Sequence, residues 1–180
     1  MPRAPLVFGL ALAGTLAWLI GPTGLVALDQ RSAGRQPTFT YAEASGCEGL
    51  LVYAWNEERT EVLTVRVDRR AVPLRSGTTT FRLEKEPGRA QVQVEVTDQE
   101  RTNMQFCAQQ PTTTSDRPMV WVAESGTLKI MMSPRRGVPF ASVSVSLDDL
   151  VVRGPDRAEA RSRRDITFTA AVALTGTEPP

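Results

Sequence analysis

Residues 44–68, ASGCEGLLVYAWNEERTEVLTVRVD, decide the fold class, because they show the pattern of one β-hairpin entered through a cysteine. Residues 50–55 are apolar or aromatic, which is typical of a strand buried on both faces or nearly so. Residues 56–59 then supply a polar turn, and residues 60–68 alternate between apolar and polar side chains. Period two indicates a strand, since successive side chains of a pleated backbone point to opposite faces. The apolar side of this second strand is formed by Leu63, Val65 and Val67.

The same alternation continues downstream and predicts an all-β domain of about eight or nine strands. Residues 124–126 are predicted to form a tight turn between two strands, and residues 148–152 to continue a strand past a bulge. Residues 69–77 are expected to be a connection with a short helical turn, and residues 154–165 a charged loop. An antiparallel β-sandwich, Ig-like or similar, is favoured, with a barrel as the alternative because strand pairing is not readable from one sequence. Further strands are expected at residues 78–84, 90–97, 104–107, 119–123, 127–132, 140–147 and 166–174.

Composition restricts the chemistry that the chain can perform. It has 21 Lys and Arg, 20 Asp and Glu, and no histidine among 180 residues. The net charge of +1 argues against a nucleic-acid binder that relies on a strongly basic surface. The absence of histidine excludes Ser-His-Asp and Cys-His hydrolase arrangements and histidine-based metal sites. Because no P-loop, GxSxG or dinucleotide fingerprint occurs either, we predict a non-enzymatic protein without a cofactor or metal.

The first segment of the chain predicts export. Arg3 precedes an uncharged apolar run and Gly21-Pro22, which is the order of a secretory signal. Residues 6–28 carry no charge and would also suit an uncleaved membrane anchor, so residues 1–28 are predicted to be a signal peptide or an anchor helix. The remaining boundaries predicted from composition are a linker at 29–38, a β-sandwich domain at 39–175 and a tail at 176–180.

Cys47 and Cys107 are the only cysteines, and in an exported protein two cysteines most simply form one disulfide. Such a bond would close a loop of about 60 residues, worth roughly 4 kcal/mol in the chain-entropy model. Residues 44–47 resemble the end of a lipobox, but charged residues separate them from the hydrophobic run, which disfavours lipidation. A redox-active thiol would need a CxxC partner or a histidine, and neither exists.

The densest cluster of positive charge lies between residues 153 and 164, in the predicted loop. Guanidinium groups match phosphate and other anions bidentately, so this cluster is the candidate anion-binding site. The simpler interpretation, which we favour, is a solvated loop whose acids offset the charge. Arg135 and Arg136 at a neighbouring turn would add to the site if they converged with it. The five candidate residues are Arg153, Arg157, Arg161, Arg163 and Arg164.

We assign the remaining carboxylates and the tryptophans to structure or solubility rather than to catalysis or ligand binding. Asp148 and Asp149 are adjacent, so a strand would point them to opposite faces, which is wrong for a shared acid pair. Trp55 and Trp121 are expected in or beside the core rather than on a ligand platform. Solubility explains three acids placed at the tip of the first hairpin, Glu57, Glu58 and Glu61.

Residues 45–74 followed by 78–84, TTTFRLE, resemble small exported bacterial proteins of uncharacterised activity that carry a two-cysteine all-β domain. The resemblance implies a location outside the cytoplasm, periplasmic or secreted, and no activity. The sequence as a whole therefore predicts a non-enzymatic envelope domain that binds a protein partner through loops or a sheet edge. Association with the membrane would run through residues 6–28, and no nucleic-acid partner is expected. The alternative is a carbohydrate- or anion-binding module that uses exposed aromatic residues or the 153–164 arginines.

Overall fold

The computed structural model describes residues 35–72, 76–98, 100, 107, 118–134 and 137–173, and these form an all-β unit. Two short 3-10 turns, Arg69–Ala71 and Pro155–Arg157, are the only helical elements in these ranges, and the first confirms the helical turn predicted there. The strands are β1 (Glu43–Cys47), β2 (Leu51–Trp55), β3 (Glu61–Val67), β4 (Gly77–Arg82), β5 (Ala90–Val96), β6 (Met119–Pro134), β7 (Phe140–Arg153), β8 (Glu159–Arg161) and β9 (Ile166–Ala173).

All strands belong to one antiparallel sheet of nine strands, which confirms the predicted all-β class. Its main path runs β1-β2-β3-β5-β6-β7-β8, while β4 pairs with β6 and β9 pairs with β7. The long strands β6 and β7 form the spine of the sheet. One edge of β6 carries β5 and β4 end to end, and one edge of β7 carries β8 and β9 in the same way.

The predicted turn at residues 124–126 is wrong, because β6 continues through it. The register between β6 and β7 shifts between Ala123 and Ser125 and again between Ser125 and Thr127. Gly126, at φ 136°, and Asp149 of β7, at φ 52°, absorb these irregularities. Bulges of this kind bend a strand without ending its pairing. The bulge predicted at residues 148–152 is accordingly confirmed.

The core follows the period-two pattern that the sequence shows. In every long strand, one set of alternate side chains is buried, and Val65, Val94 and Val145 are representative members. Each such valine contributes about 1.5–3 kcal/mol when it is fully buried. Trp55 and Trp121 are 8% and 1% exposed, so the prediction that they pack in or beside the core is confirmed.

Cys47, the last residue of β1, forms the predicted disulfide with Cys107, and their Cα atoms lie 5.1 Å apart. The strand β1 itself was not predicted as a separate element. It pairs with β2 on one side and lies against β9 on the other. A Cβ atom added at Gly46 would lie 2.6 Å from Val172 Cγ2, so the two strands make a close contact that requires glycine.

The predicted charged loop at residues 154–165 contains a 3-10 turn and the three-residue strand β8, which the sequence did not indicate. Several predictions lie outside the described residues: the signal or anchor at 1–28, the tail at 176–180 and residues 104–106 of an expected strand. Within the described part of the chain, no helix is long and apolar enough to cross a membrane.

Candidate functional site

The structure places the five candidate arginines between the end of β7 and the residues that follow β8. Arg153 ends β7 and forms an ion pair with Glu124. It also stands opposite Glu159 in the ladder between β7 and β8. Acidic neighbours therefore offset the charge of Arg153, as the solvated-loop interpretation expects. The other four, Arg157, Arg161, Arg163 and Arg164, are exposed beyond it, on the 3-10 turn, on β8 and after β8.

A buried acid that the sequence interpretation assigned to solubility lies at the start of β3. Glu57 and Glu58 are exposed as predicted, but Glu61 is only 1% exposed, so its assignment to solubility is wrong. The physical reason is strand parity, since Glu61 points to the same side as Leu63 and Val65.

The carboxylate of Glu61 accepts hydrogen bonds from four donors on the chain that leads into β1. Its Oε2 accepts from the Thr38 amide at 2.6 Å and from Thr38 Oγ1 at 2.8 Å. Its Oε1 accepts from the Phe39 amide at 3.0 Å and from the Tyr41 hydroxyl at 2.7 Å. Phe39 adopts φ 58°, and the two successive amides converge on the carboxylate. We call Glu61, Thr38, Phe39 and Tyr41 the Glu61 anchor.

Neighbouring groups hold the anchor in place and show that its role is structural. Asn56 Oδ1 accepts from the amides of Thr60 and Glu61 at 2.9 and 2.8 Å, which fixes the turn before β3. Burial, and then the charge and hydrogen bond of Glu61, raise the pKa of Tyr41 well above its ordinary value. Because each carboxylate oxygen already accepts two hydrogen bonds, Glu61 is held as an acceptor rather than presented to a substrate.

The outer face of β4, β6, β7 and β9 is lined mainly by serine and threonine side chains, together with Lys129 and Met131. One cross-strand row contains Thr80, Lys129, Ser146 and Thr167, and the next contains Thr78, Met131, Ser144 and Thr169. Lys129 Nζ donates to Asp148 Oδ2 at 2.6 Å, and this bond lowers the pKa of Asp148 and raises that of Lys129. Part of the face forms an open groove of about 370 Å³. We call these two rows the hydroxyl face.

The free edge of β4 is the site at which the backbone itself is available. The Leu83 amide donates to the Gly126 carbonyl at 3.1 Å, which continues the register of β4 on β6. In an antiparallel ladder, every second residue exchanges hydrogen bonds with the partner strand and the residues between point their backbone groups away. Residues 77, 79 and 81 therefore bond to β6, while Thr78, Thr80 and Arg82 direct their amides and carbonyls outward.

The turn after β4 satisfies one of these three residues. The Arg82 carbonyl accepts from the amides of Lys85 and Glu86, both at 3.0 Å, and the Arg82 amide donates to Glu86 Oε2 at 3.4 Å. Among the described strands, none pairs with β4 on this side. The outward amides and carbonyls of Thr78 and Thr80 are thus a short open segment of sheet edge, which we call the β4 edge.

The β4 edge lacks the features that usually protect a sheet edge. Its residues 77–81, GTTTF, contain no charge and no proline, and threonine and phenylalanine favour strands. By contrast, β8 is only three residues long and carries Glu159 and Arg161, and β1 lies against β9. A regular, uncharged edge of this kind is able to accept another strand.

Within the described ranges, no group of three or more acidic or cysteine side chains could hold a metal ion. The β4 edge offers backbone amides and carbonyls, and the hydroxyl face offers side-chain hydroxyls, as hydrogen-bonding groups. Comparison of the chain with protein-family models, with curated proteins and with solved structures finds no match.

Proposed function

We propose that this protein is a non-enzymatic, extracytoplasmic binding domain that docks a partner protein by strand addition at the β4 edge. The observation that carries the proposal is the outward direction of the Thr78 and Thr80 backbone groups on an uncharged edge strand. The sheet, bent at the bulges of β6 and β7, packs as the two layers of a β-sandwich in this proposal.

Two observations support a location outside the cytoplasm. The disulfide between Cys47 and Cys107 hints at an oxidising compartment, because cytosolic thiols are kept reduced. Residues 6–28 are long and apolar enough to serve as an export signal or a membrane anchor. The domain would then act in the periplasm, at the cell surface or after secretion.

The hydrogen bonds made by two acidic side chains, Glu61 and Asp148, support a role without catalysis. Glu61 has both oxygens occupied, and Asp148 is bound by Lys129 and Ser146. The chain also has no histidine, the commonest general base.

The strand added at the β4 edge would be short, so few backbone hydrogen bonds would form. The choice of partner would therefore depend on side-chain contacts. A strand laid beside residues 77–81 could form four backbone hydrogen bonds, two with Thr78 and two with Thr80. At about 0.5–1.5 kcal/mol each, these bonds alone give weak affinity. The rest would come from side chains that extend the hydroxyl face on one side and pack beside Thr79 on the other.

A pair of substitutions at Thr80 tests the proposal. Thr80→Pro removes the outward amide and leaves the bonds of Thr79 and Phe81 to β6, whereas Thr80→Val keeps the amide and removes only the hydroxyl. In affinity capture from an envelope extract, followed by titration of the recovered partner, we expect at least tenfold weaker binding by Thr80→Pro and a smaller loss by Thr80→Val, which keeps the outward amide. Amide exchange should slow at Thr78 and Thr80 when the partner is added. Equal binding by both variants would refute docking at this edge.

The second candidate function is binding of an anionic polymer, and the exposure of Arg157, Arg161, Arg163 and Arg164 favours it. The sugar-binding form of this candidate loses its aromatic platform at Trp55 and Trp121, since both are buried. Retention on an immobilised polyanion, compared between the parent and an Arg161→Glu/Arg163→Glu variant across a salt gradient, tests it. Identical elution of the two proteins would exclude these arginines as the binding site.

A further inference from the structure

We infer that the strand which docks on the β4 edge is β4 of a second copy of this chain, paired antiparallel about a two-fold axis through Thr79. The inference rests on the proposed function, since it assigns the occupant of the same edge. It is carried by the self-complementarity of residues 77–81 and by the finding that none of the described strands covers that edge.

Only one register uses every open backbone group of both copies. Thr78 and Thr80 point outward, so Thr78 of one copy must exchange hydrogen bonds with Thr80 of the other, and the reverse. Thr79 then faces its own equivalent as a non-hydrogen-bonded pair, with Cα atoms about 4.5 Å apart. A register centred on Thr80 would require Arg82, whose backbone the turn already occupies, and one centred on Thr78 would pair Thr80 with Ser76, which precedes β4.

The side chains are compatible with this register. Thr78 lies beside Thr80 of the second copy on the outer face, and cross-strand threonine pairs are favourable. Gly77 falls opposite Phe81 of the second copy, and no atom lies within 4 Å of the position where Gly77 would carry a Cβ. Arg82 falls opposite Ser76, so no pair of like charges is brought together.

The pairing would join the two hydroxyl faces into one continuous surface. The row of Thr80, Lys129 and Ser146 in one copy would continue through Thr78, Met131 and Ser144 of the other. Strands β4, β6, β7 and β9 of each copy would then run across one joined sheet, in which β4 no longer lies at an edge.

The interface between the two β4 strands is small, so we expect the two copies to bind each other weakly. A stable interface buries about 1,200–2,000 Å² in total, whereas five residues of edge strand bury less. The dimer should therefore be reversible, with a dissociation constant in roughly the micromolar to millimolar range. Concentration on a membrane, if residues 6–28 serve as an anchor, would raise its population without new contacts.

Cross-linking at the two-fold axis provides the direct test. In the exported full-length chain, Thr79→Cys places two sulfurs across the axis at a Cα separation that a disulfide accepts. The matched control is Thr169→Cys, which is also a threonine on an outer strand but lies three strands away from the axis. We expect Thr79→Cys to form a covalent dimer under mild oxidation at least tenfold faster than Thr169→Cys.

Sedimentation equilibrium supplies a second measurement that does not depend on an added cysteine. The parent should show a concentration-dependent increase in mass, Thr80→Val a weaker one because it keeps the outward amide but loses the threonine pair, and Thr80→Pro should stay monomeric. A parent that is monomeric up to about 1 mM, the weak end of that range, together with equal cross-linking of the two cysteine variants, would overturn the inference. If Thr80→Pro nevertheless loses a heterologous partner in that case, the proposed function survives and only the identity of the occupant is wrong.

Discussion

At the scale of single residues, Glu61 determines how the chain enters the sheet. Glu61→Gln keeps the shape of the side chain but turns an amide group toward either the Thr38 or the Phe39 backbone amide. A buried donor without an acceptor costs about 1–3 kcal/mol, and hydrogen bonds to a charged acceptor are lost as well. We expect the free energy of unfolding to fall by about 3 kcal/mol in denaturant titration. The matched control is Glu57→Gln at an exposed position, and equal stability of the two variants would contradict the anchor.

Tyr41 makes the free energy of unfolding depend on pH, and the direction of this dependence follows from the raised pKa of its hydroxyl. In the unfolded chain, tyrosine ionises near its ordinary pKa of 10.0, whereas the folded chain holds Tyr41 protonated to higher pH. The unfolded state therefore binds fewer protons above this pH, and the free energy of unfolding must fall as the pH rises further. Ultraviolet titration of Tyr53→Phe, in which Tyr41 is the only tyrosine, should show phenolate only together with unfolding. Ionisation of Tyr41 near its ordinary pKa of 10.0 without loss of structure would disprove the effect.

The misassignment of Glu61 shows what local pattern can and cannot reveal. The alternation of Leu63, Val65 and Val67 already places residue 61 on the inner side, so parity alone contained the signal. What the sequence lacks is the identity of the donors, because Thr38, Phe39 and Tyr41 are about twenty residues away along the chain. The cluster of candidate arginines could be identified from the sequence, because its members are close together along the chain and no distant partner defines it.

At the scale of elements, the contact between β1 and β9 depends on a glycine. In Gly46→Ala, the new methyl group would lie 2.6 Å from Val172 Cγ2 and 2.9 Å from the Ala171 carbonyl oxygen. Overpacking of this kind costs about 1–3 kcal/mol, because the backbone of β9 must shift. Thermal unfolding should show this loss, while the control Gly88→Ala, with no atom within 4 Å of its Cβ, should match the parent. Equal melting temperatures would mean that the two strands are not in close contact.

The strands themselves were largely predictable, and the exceptions have physical causes. The turn predicted at residues 124–126 fails because Glu-Ser-Gly suits a bulge as well as a hairpin, and only the pairing partner decides between them. The β4 edge was expected only in general terms, as a sheet edge available to a partner. Its availability depends on which backbone groups β6 occupies, and that is a property of the pairing register rather than of residues 77–82.

At the scale of the whole molecule, the alternation within each strand predicts burial but not the order of strands. Residues 63 and 94 stand opposite one another in the ladder between β3 and β5, yet neither segment contains a sign of the other. Strands β4 and β5 both pair with β6, and strands β8 and β9 both pair with β7. In each case, two consecutive strands lie end to end along the same long strand. Such non-local pairing requires loop closure over many residues, which sequence periodicity cannot encode.

The disulfide connects two parts of the molecule that the sheet does not join directly. Cys47 ends β1, while Cys107 lies in the connection between β5 and β6, sixty residues away. The principal core, built on β3, β5, β6 and β7, does not include Cys47. The bond should therefore stabilise the fold mainly by restricting the unfolded chain, and the sheet should still form without it.

Cys47→Ser/Cys107→Ser tests this division of roles. We expect the double variant to keep the far-ultraviolet circular dichroism of the parent but to lose about 4 kcal/mol of unfolding free energy in guanidinium titration. The parent with added reductant is the control and should match the variant, because both lack the same covalent loop. Thiol labelling of the denatured parent should detect no free cysteine before reduction. An unfolded variant would show that the disulfide is needed to form the sheet, and unchanged stability would show that it does not restrict the unfolded chain.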